Sequence, residues 1–133
     1  MSRRSERRAA AFILYQRDLL GGRFEELYDA YQRDNGEQVT AFTRGEAEGA
    51  WENREQLDQA IDAAAEGWST ERMAVLERNI LRLGVHEMRG GEVPAAVAID
   101  EAVSLAKRYA SPEAAVLVNG ILGKIARTEG VGR

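Results

Sequence analysis

The sequence predicts an all-α fold, and three observations carry that prediction. First, Glu71–Met88 repeats its apolar residues at helical spacing: Met73, Leu76, Ile80, Leu81, Leu83, Val85 and Met88 fill an arc of roughly 200° on a helical wheel. A surface helix needs an apolar stripe of only about 100°, so this one is packed from two sides. Second, stop and start signals of helices punctuate the chain at Gly21-Gly22, Asn35-Gly36, Gly67, Gly90-Gly91 and Ser111-Pro112. Third, no stretch alternates apolar and polar residues for long enough to make a strand. Six or seven helices are expected.

The first helix covers residues 3–20. Ala9, Ile13 and Leu20 share a side, and Phe12, Tyr15 and Leu19 extend the buried face. Arg3, Arg4, Arg7 and Arg8 fall within roughly 140° of one another on the wheel. Phe24 to Asn35 makes a short second helix with Phe24, Leu27, Tyr28 and Tyr31 on one face. A longer helix is expected from Thr40, a suitable N-cap, to Glu66. In it Trp51, Leu57, Ile61, Ala64 and Trp68 recur at near-helical spacing. Gly45 and Gly49 make sense there if another helix passes close by.

Gly67 interrupts, Ser69 or Thr70 caps, and the central helix begins at Glu71. Gly84 lies inside its apolar arc, where a missing side chain admits a neighbour. Arg78, Arg82, His86 and Arg89 take the remaining face and are expected in solvent. Glu77 and Glu87 fall inside the arc. By geometry alone they sit at helix ends or at a seam between neighbours, with a partner groove at Glu77 the alternative.

Pro94 near a helix start leads into Ala95–Tyr109, striped by Ala95, Ala98, Ile99, Ala102, Leu105, Ala106 and Tyr109. Lys107-Arg108 near its end suits the helix dipole. Ser111-Pro112-Glu113 starts the last helix. That helix turns Ala114, Leu117, Val118, Ile121, Leu122 and Ile125 inward, runs to about Thr128, and leaves a flexible tail at 130–133. Asn119-Gly120 falls mid-helix and reads as a close-packing point.

Composition narrows the function. The chain has 133 residues, a formal net charge of −4, no cysteine and one histidine. Disulfides, thiolate chemistry and a multi-histidine metal site are therefore excluded within it. The charge is uneven: Arg3, Arg4, Arg7, Arg8, Arg17 and Arg23 face only Glu6 and Asp18 in the first 23 residues, and the remainder is acidic. A basic end on an acidic body points to a local anion site. Guanidiniums fork onto phosphates and stack on bases, and phosphate contacts make binding salt-dependent. A solvated, frayed terminus is the competing reading. No apolar run approaches the length of a membrane span. The early apolar run ends at Gln16-Arg17-Asp18 without a cleavage signal, so a mature cytoplasmic helix is expected. There is no phosphate loop, metalloprotease motif or nucleophile elbow. His86 beside Glu87 reads as a surface histidine. No catalysis and no cofactor are expected.

Several stretches carry a family resemblance. WSTERMAVLERNILRLGVHEM and EVPAAVAIDEAVSLAKRYASPEAAVLVNGILGKIAR look like the central and C-terminal signatures of the NusB family of transcription antitermination proteins. The arginines running into AAAFILY resemble that family's RNA-binding first helix. FTRGEAEGAWENREQLDQAI resembles its weaker middle motif through Phe42, Gly49, Leu57, Asp58 and Ile61. The resemblance implies two packed three-helix subdomains within residues 1–129, about 1–66 and 67–129. It implies binding of boxA-type single-stranded RNA in ribosomal RNA leader transcripts, jointly with NusE, a small-subunit ribosomal protein. The assembly would act on the RNA polymerase elongation complex with other Nus factors.

By the resemblance, Arg3, Arg4, Arg7, Arg8 and Tyr15 contact RNA and Glu113 lies beside the RNA surface. Glu77, with the adjoining Arg78 and Arg82, would face NusE, which favours the partner groove. Relatives often carry an aromatic just before VNG and a basic residue before that; here these are Leu117 and Val116. RNA recognition should therefore lean on the arginine face and on NusE. Two other readings remain: a helical homo-oligomer that uses the groove on itself as a homodimer, and the isolated RNA-recognition module of an RNA methyltransferase.

Overall fold

A computed structural model describes residues 2–130. Among these the chain forms seven α-helices and one 3₁₀ turn, with no strand. They are α1 (Arg3–Leu20), α2 (Phe24–Asn35), α3 (Ala41–Glu52), α4 (Arg54–Ala64), α5 (Val75–Gly90), α6 (Ala95–Tyr109) and α7 (Pro112–Glu129), with the 3₁₀ turn Thr70–Arg72 before α5. The expected tail at 131–133 lies outside the described residues; Gly130 itself caps α7 by donating its N–H to the Ala126 carbonyl.

Helix α5 organises the fold, packing on α1, α3, α4, α6 and α7. Ile80, Leu81 and Val85 are fully enclosed, as the wide apolar arc requires. Its two close approaches are set by glycines. A Cβ on Gly84 would lie 2.6 Å from Leu122 Cδ1, and one on Gly49 of α3 would lie 2.6 Å from His86 Cε1. Gly45 has nothing within 4 Å, so the close passage expected there does not occur.

Four boundaries and faces differ from the sequence reading. The long 40–66 helix is broken at Asn53, whose side-chain amide donates to the Gly49 carbonyl at 2.9 Å and so competes with the helical ladder. The central helix starts at Val75 because Met73 and Ala74 are extended and Asp62 fixes the lead-in by accepting the Thr70 N–H at 2.7 Å. Leu19 and Leu20 are exposed, since the last turn of α1 runs past the elements that cover it. Asn119 and Gly120 are exposed, with nothing within 4 Å of a Cβ at Gly120. That pair is surface, where the sequence suggested packing. Among the described residues no helix is long and apolar enough to cross a membrane.

Candidate nucleic-acid interface

The N-terminus of α1 is rigidly started. Ser2 and Ser5 form a reciprocal capping box, which holds the arginines of the first two turns on a defined surface. Arg4 is 70% exposed, its fork lying on Glu101 of α6 at 3.2 Å through both Nε and Nη2. Arg3 pairs with Glu6 at 2.9 Å and lies 3.9 Å above the Phe42 ring. Arg8 reaches Glu37 at 3.1 Å. The hydroxyl of Tyr109, then that of Tyr31, raises its pKa against the effect of burial.

Arg7 corrects the four-arginine face. Its side chain is only 9% exposed, and Nε shares both oxygens of Glu87 at 2.9 and 3.0 Å. The arginine arc is wide enough that its inner edge meets α5, and Glu87, an acid inside the apolar arc, is there to receive it. Glu6 is held below the ordinary carboxylate range, first by the Thr40 hydroxyl bonded to it. Thr43 donates to the Glu6 carbonyl at 2.9 Å, fixing α3 to the same turn. Three guanidiniums therefore face outward, and the fourth is a buried strut between α1 and α5.

Beside Arg8 opens a cleft of about 470 Å³ whose walls include Phe12, Tyr15, Tyr31 and Tyr109. Phe12 meets Tyr109 edge-on, with ring centroids 5.1 Å apart. Four rings around a guanidinium suit stacking and cation–π contact with unstacked bases. Tyr15 is half-buried and lines this cleft. Tyr31 and Tyr109 match the apolar stripes of their helices, the spacing of core residues. Only the packing of α2 and the end of α6 against α1 turns them into a cleft. Glu113 is exposed in the first turn of α7, Val116 is 74% exposed and Leu117 is half-buried.

The second expected surface is at the far end of α1. Glu77 is half-buried in the first turn of α5. Arg78 is not free in solvent: Nε donates to Asp18 at 2.6 Å and Nη1 to the Thr70 carbonyl at 3.3 Å. Arg82 is buried outright, with both forks engaged by Asp58 and Asp18. His86 is half-buried on Glu46 at 3.4 Å. The solvent face expected for Arg78, Arg82 and His86 is instead covered by α1, α3 and α4, each supplying a carboxylate. This end also exposes apolar side chains, beside the charged Glu71 and Arg72. Leu19, Leu20 (76%) and Trp68 (56%) stand out, close in sequence to Asp18 and Thr70, which Arg78 links. Among the described residues no group of three or more acids and histidine could hold a metal ion.

Comparison with known proteins agrees with this architecture. A sequence model of the NusB family matches residues 4–127. The transcription antitermination protein NusB of Rubrobacter xylanophilus is 41% identical over 123 residues, covering 92% of this chain and 88% of its own. Of solved structures, antitermination factors NusB and NusE in complex with double-stranded RNA superpose with a TM-score of 0.85 at 28% identity, covering 95% of this chain and 96% of the other. Thermotoga maritima NusB superposes with a TM-score of 0.83 at 32% identity, covering 96% and 92%. The chain belongs to the NusB family of transcription antitermination proteins.

Proposed function

We propose that this chain is a non-catalytic, cytoplasmic RNA-binding factor that binds boxA-type single-stranded RNA of ribosomal RNA leader transcripts together with NusE, promoting elongation by RNA polymerase. The observation that carries this is the row Arg3, Arg4 and Arg8 beside a cleft walled by four aromatic rings. Phosphate contacts would position the strand, and bases in the cleft would give sequence choice. Arg8 and three of the rings come from the first half of the chain (about 1–66) and Tyr109 from the second (about 67–129), so both halves build one RNA site. Arg7 serves it from behind by tying α1 to α5. Glu113, exposed in the first turn of α7, would lie beside the RNA. NusE would take the other end, through Glu77 and the exposed Leu19, Leu20 and Trp68. Its RNA surface would raise affinity by effective concentration.

Fluorescence anisotropy across a salt series tests this. The wild type should prefer a boxA-type strand to a scrambled one, more so with NusE. The triple variant R3A/R4A/R8A should flatten the dependence of log K on log salt by about 2, at about 0.7 per phosphate. Y31A should cost about 1–3 kcal/mol if one base stacks there. Arg7 is left intact because its loss would test the fold. Equal, weak binding of both strands, unchanged by NusE, would sink the proposal. L20D should abolish the NusE enhancement and leave RNA binding by the chain alone unchanged. An undiminished enhancement would remove that end of α1 from the NusE surface.

A further inference from the structure

The basic surface does not end on α1. A shallow groove of about 90 Å³ runs between α1 and α6, bordered by Arg4, Arg8, Glu101, Ser104, Arg108 and Tyr109. Arg4 pairs with Glu101 and Arg8 with Glu37, whereas Arg108 pairs with no carboxylate among the described residues. Its guanidinium lies 5.5 Å from the centre of the Tyr109 ring, within cation–π range, and the residue is exposed. By sequence Lys107 and Arg108 form one dipole-complementing pair at a helix end. The fold separates them: Arg108 borders the groove and Lys107 does not.

The groove and the aromatic cleft share two side chains, Arg8 and Tyr109. A phosphate in the groove and a base in the cleft would therefore both border this pair. Ser104 adds a hydroxyl donor on the α6 wall. Glu101 makes the site selective: a bound phosphate must compete for Arg4, so a lone ion gains little, while a strand held at neighbouring positions gains the contact.

We propose that Arg108, with Arg4, Arg8 and Ser104, forms a backbone-phosphate site on α6 that carries the RNA strand off α1 and past the aromatic cleft. This rests on the RNA-binding reading above and extends it to an element that the α1 arginine row does not include.

The test is anisotropy titration of the full chain with a fluorescently labelled single-stranded boxA-type RNA, from 0.05 to 0.4 M salt. R108A, R108K, K107A and R4A are compared, with thermal melts showing that each is folded. R108A should bind about fivefold more weakly at 0.1 M salt, with a slope shallower by about 0.7. R108K should keep the slope, and K107A should stay within about twofold of wild type. Equal losses in R108A and K107A would overturn the site in favour of a diffuse field. An unchanged R108A beside a weakened R4A would overturn it while leaving RNA binding on α1 standing. Absence of RNA binding by the wild type would overturn both readings.

Discussion

Arg82→Ala is expected to lower the stability of the chain by about 3–5 kcal/mol, the cost of removing one partner from a buried ion pair. The side chain is 7% exposed. Nε and Nη2 each lie 2.7 Å from an oxygen of Asp58, and Nη1 lies 3.0 Å from both Asp18 and the side-chain carbonyl of Asn79. Asn79, fully buried, returns its amide to Asp18 at 3.0 Å and to the Val75 carbonyl at 2.8 Å. Burial alone would push the Asp18 carboxyl up; bonds from Arg78 and Asn79 and the charge of Arg82 outweigh that and hold it below its ordinary value. Without Arg82, Asp18 would keep Arg78, but Asp58 would lose its fork.

Charge alone does not satisfy this site. R82K should restore only part of the loss, since an ammonium cannot bridge Asp58 and Asp18 in one plane. Conversely, R82M with D58N should recover part of what R82A loses, because it removes the stranded charge and keeps volume. Urea denaturation followed by far-ultraviolet circular dichroism measures all three. A loss below about 1 kcal/mol in R82A would mean that water enters freely and that Arg82 behaves as a surface residue. The location matters for function. Arg82 ties the end of α1, which carries Leu19 and Leu20, to α4 and α5, so a weakened NusE effect in R82K without RNA loss would follow from displacement of that end.

The helical architecture was legible because periodicity and punctuation act locally. The arc from Met73 to Met88, the Ser111-Pro112-Glu113 start and the Gly90-Gly91 stop need no knowledge of neighbours. Charges were harder to place. Arg7 and Arg8 are adjacent on one helix, yet one is a strut and the other borders a cleft, because Glu87 and Glu37 stand at different depths. Arg78 and Arg82 lie outside the apolar arc, and an unpaired arginine there would be in solvent. Asp18 and Asp58, far away in sequence, supply the partners that bury them. Glycines divided the same way. Gly84 and Gly49 mark close approaches, whereas Gly120, equally suggestive in the sequence, faces open space. The aromatic cleft was hidden for a related reason: Tyr31 and Tyr109 obey core periodicity and become a site only where two helix ends meet α1.

Glu46 gives the second large effect, and its sign depends on pH. Its side chain is 12% exposed at the junction of α1, α3 and α5. Burial first, then the charges of Glu87 and Glu92, push its pKa from the ordinary 4.5 up to about 7, against the downward pull of Arg7 and Arg3. A carboxyl raised on folding favours the protonated fold. Its stabilising contribution is complete below about pH 4.5 and is lost as pH rises through about 7. His86, 3.4 Å away, runs the other way: burial lowers its pKa, with Glu87 opposing. Its contribution is present above its unfolded value, near 6.5, and is lost as pH falls through the depressed folded one.

Glu46→Gln removes only the first of these effects. The stability difference between E46Q and wild type should be near zero at pH 4 and grow in favour of the variant to as much as about 3 kcal/mol at pH 8. Carboxylates not coupled to Glu46 titrate alike in both proteins and cancel. Urea unfolding at half-unit pH steps measures the difference directly. A constant offset from pH 4 to 8 would mean that Glu46 titrates normally and that the junction is wet. A difference rising through the predicted window would identify a buried carboxyl that stays protonated to about pH 7 at the joint that seats the arginine-bearing turns of α1.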